Sequence, residues 1–136
     1  MRVTFAWMLG LGVFVLAAAV GPRAWQGDPE AAKLKNPVAS TPESIAAGQA
    51  MFARRCSACH GSDAKGGPPK EDFLKPGSNL VDDTTDHGGS DGEIFTVIKN
   101  GVPPEFVMYG WGERLSDTEI WNLVNFIQDQ VKKNKK

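Results

Sequence analysis

Two cysteines, two histidines and one tyrosine are all that this 136-residue chain has of those residue types. The scarcity of thiols and imidazoles narrows the chemistry. A structural zinc site needs four such ligands. The whole supply is Cys56, Cys59, His60 and His87, and Cys59 and His60 are sequence neighbours that would have to turn toward one ion. Alternation of apolar and polar residues never persists beyond about four positions, so no sheet is expected. Without a βαβ scaffold the Cys56–Cys59 pair has no thioredoxin-like setting. An excess of charge is missing too: 15 Lys and Arg against 16 Asp and Glu leave a formal net charge of −1. That balance gives no reason to expect a nucleic acid or another polyanion as partner. Nor does any long apolar run occur beyond Val20.

The one such run is Val3–Val20, preceded by Met1 and Arg2. As a helix it would reach roughly 27 Å, about the thickness of a bilayer core. Ala17, Ala18 and Ala19 offer a small-x-small cleavage site. Residues 1–20 therefore read as a signal peptide, with a retained membrane anchor as the alternative. Either places the remainder across the membrane, in the periplasm or on the outer face, with Arg2 on the cytoplasmic side. Residues 21–40 mix Pro, Gly, Ala and charge without a period and read as a flexible linker. Residues 41–132 are the folded domain. Residues 133–136 are a basic tail, expected as a solvated helix end.

Within the domain three helix starts carry side-chain caps. Thr41 precedes Pro42, which places a proline at the first helical position of a helix expected over 42–54. Ser90 and Glu93 form a capping box, with Ile94, Val97 and Ile98 behind it and Gly101 as the stop. Ser116 and Glu119 form another, and Ile120, Leu123, Val124, Ile127 and Val131 give the apolar stripe of a helix to about Lys132. The segments between are rich in Gly and Pro. Loops this long in a compact domain usually wrap something.

The stretch Arg54–Asp63, RRCSACHGSD, holds both cysteines. In a Cys-x-x-Cys-His sequence two thiols about one helical turn apart can add to the vinyl groups of protoporphyrin as thioethers. The histidine that follows can then turn its imidazole to the iron. Attachment of this kind occurs outside the cytoplasm, in agreement with the leading apolar segment. It also keeps a haem bound to a domain too small to enclose it fully.

These residues resemble a family, the monohaem class I c-type cytochromes, over about Pro42–Asp129. Gly48 and Phe52 match the small residue and aromatic of the family's N-terminal helix. Leu123 and Phe126 match the positions where the last helix crosses it. Met108–Trp121, MYGWGERLSDTEIW, resembles the distal loop, in which a methionine shortly precedes a Leu-Ser-Asp helix start. The resemblance implies an all-α, cytochrome c-like fold: three to five short helices and long loops wrapped around one covalently bound haem c. It implies Cys56 and Cys59 as attachment points, and His60 and Met108 as the iron ligands. His87 is the competing sixth ligand. Tyr109 stands where the family usually has proline, so a more easily displaced Met108 is expected. Pro68 or Pro69 is expected to offer its carbonyl to the His60 ring N–H. Trp111 is a candidate to shield a haem edge or reach a propionate. Asn79, Tyr109 and Arg114 are further propionate candidates.

The function implied is single-electron transfer between respiratory or periplasmic redox proteins, a donor and an acceptor, by a carrier that is not itself an enzyme. Two bound ligands leave the iron no open position, so no small-molecule substrate is expected. Phe73, Leu74, Leu80, Ile94, Phe95, Ile98 and Val107 would form apolar walls. The surface around Ser57, Ala58 and Gly61 would be the electron port. Two alternatives stand beside this reading. One is a haem-binding sensor or peroxidase-like enzyme with a labile or open sixth position. The other is a fixed cytochrome c subunit of a membrane oxidoreductase.

Overall fold

The computed structural model describes residues 27–67, 77–82, 87–103 and 108–136. Among them a short 3-10 turn, Ala31–Lys33, is followed by four α-helices and no strand: α1, Pro42–Arg55; α2, Ser57–His60; α3, Asp91–Asn100; and α4, Asp117–Asn134. The protein is all-α. Each long helix begins at its expected cap. The Thr41 hydroxyl oxygen accepts from the Ser44 N–H, and the Thr41 N–H donates to Ser44 Oγ in return, with Pro42 at the first position. Ser90 and Ser116 close reciprocal boxes with Glu93 and Glu119. α1 and α4 run slightly past the expected ends at Arg54 and Lys132.

The frame is the crossing of α1 and α4. Gly48 lies against the backbone carbonyl of Asn122 and Cβ of Phe126, so a side chain at 48 would hold the helices apart. One turn on, Phe52 meets Phe126 with ring centroids 5.1 Å apart and planes tilted by 49°. α3 joins this pair by stacking Phe95 on Trp121 at 3.9 Å and 15°. Phe52, Ile120, Leu123, Val81 and Val124 are the largest fully buried side chains. Burying each of these stabilises the fold by on the order of 1.5–3 kcal/mol relative to leaving it exposed.

Residues 27–40 lie in the stretch expected to be a linker, yet they are held against the helices. Ala31 is buried, and Gly92 of α3 lies against Ala31 and Leu34. Further along, the Asn36 amide donates to Asn125 Oδ1 at 2.8 Å and to the Trp121 carbonyl at 3.3 Å. Asn125, itself buried in α4, donates to the carbonyls of Val38 and Ala39 and to Ser44 Oγ at 3.1–3.3 Å. An amide in an apolar interior is costly unless every polar atom finds a partner, and this chain segment provides those partners. At the other end Lys133 pairs with Asp129 at 2.6 Å, on a tail otherwise exposed to solvent. No helix among the described residues is long and apolar enough to cross a membrane; residues 1–20 lie outside them.

Candidate functional site

Cys56 is the joint between α1 and α2. Its N–H completes α1 on the Phe52 carbonyl, and its own carbonyl accepts from the N–H groups of Cys59 and His60 at 3.1 and 3.0 Å. That single turn places the two thiols on neighbouring levels and His60 directly after them. Both cysteines are free and half-buried. Burial, and secondarily the neighbouring Cys59, push the Cys56 thiol up to about 11, so it stays protonated at neutral pH. Ser57, expected at the electron port, is instead buried, because its hydroxyl turns back to the Ala53 carbonyl at 2.9 Å. Ala58 is exposed and Gly61 half-buried.

His60 is oriented by the return of the chain at residues 77–80. Its Nδ1 lies 2.9 Å from the carbonyl oxygen of Ser78. A carbonyl can only accept, so Nδ1 carries the proton and Nε2 keeps its lone pair for a metal. The Gly77 N–H bonds the Cys59 carbonyl at 2.9 Å, and the Leu80 N–H bonds that of Ala64 at 2.8 Å. A Cβ on Gly77 would sit 2.8 Å from His60 Nδ1 and from the Cys59 carbonyl group, so only glycine lets the returning chain come this near. The expected acceptors Pro68 and Pro69 lie outside the described residues, and the acceptor at the ring is Ser78. Any residue supplies a carbonyl, so a search for proline passes over it.

Met108 lies on a second loop, drawn against the end of α3. Its carbonyl accepts from the Val102 N–H at 2.8 Å, and Tyr109 forms a single antiparallel bridge with Gly101. Beyond it the Trp111 and Gly112 N–H groups bond the carbonyls of Ile98 and Lys99 at 2.9 and 3.0 Å. Met108 is half-buried. Tyr109, expected among the propionate candidates, is half exposed, and Arg114 lies over the rings of both Tyr109 and Trp111. Asn79 uses its Oδ1 on the Val81 N–H at 2.9 Å. His87 is half-buried in the turn ahead of α3. Of the expected apolar walls, Phe95 and Ile98 are buried, and Leu80 and Ile94 pack on the same core. Phe73, Leu74 and Val107 lie outside the described residues. An open cavity of about 520 Å³ between Lys99, Tyr109 and Arg114 includes none of the cysteines or His60.

The donor set fits a covalently attached haem. Two unpaired thiols stand one turn apart, and an imidazole beside them is fixed through Nδ1 with Nε2 left over. Among the described residues no group of three or more His, Cys, Asp or Glu converges as an alternative metal site.

A helical frame of this kind around a Cys-x-x-Cys-His turn defines the class, a monohaem c-type cytochrome domain whose cofactor is covalently bound haem c with its iron. The model of the family "Cytochrome C oxidase, cbb3-type, subunit III" matches residues 43–127, and the chain belongs to that family. It is 34% identical over 94 residues to the cbb3-type cytochrome c oxidase subunit CcoP of Rubrivivax gelatinosus, covering 66% of this chain and 27% of that protein. Against the subunit FixP of Sinorhizobium medicae the identity is 33% over 88 residues, 65% of this chain and 28% of the relative. Against FixP of a Bradyrhizobium it is 37% over 82 residues, 60% and 26%. The chain thus spans about a quarter of the length of the curated relatives it matches.

Proposed function

We propose that this domain carries single electrons as a fixed cytochrome c subunit of a membrane-bound cbb3-type oxidase, held at the periplasmic or outer face of the membrane. The relatives' names favour the fixed subunit over a freely diffusing shuttle. Cys56 and Cys59 provide the thioether sulfurs, and His60 and Met108 provide the two iron ligands. When bound, the haem supplies a one-electron ferric–ferrous couple.

The observation that carries this reading is the His60–Ser78 hydrogen bond, which fixes the imidazole tautomer and ring plane for ligation through Nε2. A thioether ligand from Met108 favours the reduced state relative to a second imidazole and so raises the potential. The buried Phe95 and Ile98 and the apolar residues packed with them lower the local dielectric and act in the same direction. Held by both His60 and Met108, a bound haem iron would have no place left for a small molecule, so the domain would pass electrons between neighbouring redox proteins.

The test is a visible and near-infrared spectrum of the matured protein in both oxidation states. Two thioether links to haem and a weak sulfur-to-iron charge-transfer band in the oxidised form are expected. Met108→Ala removes that band and lowers the potential. An unchanged spectrum in that variant would transfer the sixth position to another residue, His87 first.

A further inference from the structure

We propose that Arg114 is a positioning residue for Met108: laid across Tyr109 and Trp111, it clasps the loop from outside and holds the methionine at its ligating place. This rests on the reading of Met108 as the sixth ligand. No rigid residue follows Met108; Tyr109 does, and residues 104–107 before it lie outside the described residues. Among the described residues Met108 is held by the Val102 N–H on its carbonyl and, on its C-terminal side, by the chain that follows it.

That side is built in a definite order. Residues 109–112 are pressed flat onto the end of α3: a Cβ at Gly110 would meet the Lys99 carbonyl at 2.6 Å, and Trp111 and Gly112 bond the carbonyls of Ile98 and Lys99. In an extended stretch, side chains two apart project to the same face. Tyr109 and Trp111 do so, with ring centroids 5.5 Å apart. Trp111 also packs on the hydrophobic core, whereas Tyr109 is 51% exposed and, besides its ring contacts with Trp111 and Arg114, is joined to the described fold by the bridge to Gly101.

Arg114 closes the gap between the anchored ring and the exposed one. Its backbone N–H is fixed on the Trp111 carbonyl at 2.8 Å. Its guanidinium carbon stands 5.5 Å from the Tyr109 ring and 5.8 Å from the Trp111 ring, within cation–π range of both. The restraint thus runs from the core through Trp111 and Arg114 to Tyr109, whose peptide bond is the one leaving Met108. Removing the guanidinium frees the exposed ring, lets the Gly101–Tyr109 bridge fray, and lets the thioether leave more often.

The experiment is imidazole binding to the oxidised, haem-loaded protein, followed with the charge-transfer band, in wild type, Arg114→Ala, Arg114→Lys, Tyr109→Leu and Met108→Ala. Imidazole competes with a ligand that must first dissociate, so its apparent affinity reports how often the sixth position opens. Arg114→Ala and Tyr109→Leu are each expected to raise that affinity about fivefold or more and to weaken the band. Combining them should add little, and Arg114→Lys should restore most of the wild-type behaviour. Wild-type affinity in Arg114→Ala, in a protein whose Met108→Ala variant loses the band, overturns the clasp alone. A Met108→Ala variant that keeps the wild-type band and affinity overturns the ligand assignment, and the clasp with it. An unchanged melting temperature accompanying the expected shift separates positioning from general loss of stability.

Discussion

Ser78 presents its backbone carbonyl to Nδ1 of His60 at 2.9 Å, and the residue before it, Gly77, is pressed against the same imidazole. The bond makes the ring a better electron donor through its other nitrogen, which stabilises the ferric state. Gly77→Ala forces the loop off the ring, so the reduction potential is expected to rise by about a few tens of millivolts, given about 59 mV per tenfold change for one electron. Ser78→Ala keeps the carbonyl and should leave the potential where it is. A redox titration of both variants decides the matter: equal shifts in the two would exclude the backbone carbonyl as the cause.

Gly48→Ala tests the helix crossing. The new methyl meets the Asn122 carbonyl and Phe126 Cβ, backbone and core atoms that have little room to yield. A loss of about 1–3 kcal/mol in unfolding free energy is expected from overpacking of this kind. Chemical denaturation reads it, and a variant as stable as wild type would show that the helices separate at no cost.

Asn125→Ala tests the latch on residues 36–39. It removes the amide that bonds Val38, Ala39 and Ser44, and leaves Asn36 without its Oδ1 partner. The expected loss is about 1–3 kcal/mol. Hydrogen exchange should rise at residues 36–39 before it rises in α1.

Acid should loosen α4 from its first turn. The backbone N–H and then the hydroxyl of Ser116 hold the Glu119 carboxyl below its usual range. A folded-state value below the unfolded one means that this contribution is present above the ordinary carboxylate value and is lost as pH falls through the lowered one. Glu119→Gln should therefore flatten the acid limb of the stability profile while changing the neutral limb less. Ser116→Ala should cost about 1 kcal/mol at neutral pH through loss of the cap. Thermal melts between neutral and acidic pH check both.

The three long helices were legible because their signals are local. Thr41, Ser90 and Ser116 each announce a start within four residues, and the apolar stripe of α4 repeats within one helix. The Gly48–Phe126 crossing was legible only through resemblance, since nothing in either helix alone names its partner. The pairing of His60 with Ser78 left no trace in residue type, because the acceptor is backbone. The packing of residues 27–40 was hidden for a different reason. It depends on a bond between Asn36 and Asn125, far apart in sequence, and its one visible sign is an amide set among Val124, Phe126 and Ile127 in a buried helix. Ser57 reads as a small surface residue until its hydroxyl is seen folding back on α1.

That latch also decides how the domain bears load. A pull arriving from the N-terminal side meets Ala31 against α3 and Asn36 against α4 before it reaches Thr41. The tension enters as shear across two helices. α1, which leads into Cys56 and the turn that carries Cys59 and His60, is spared.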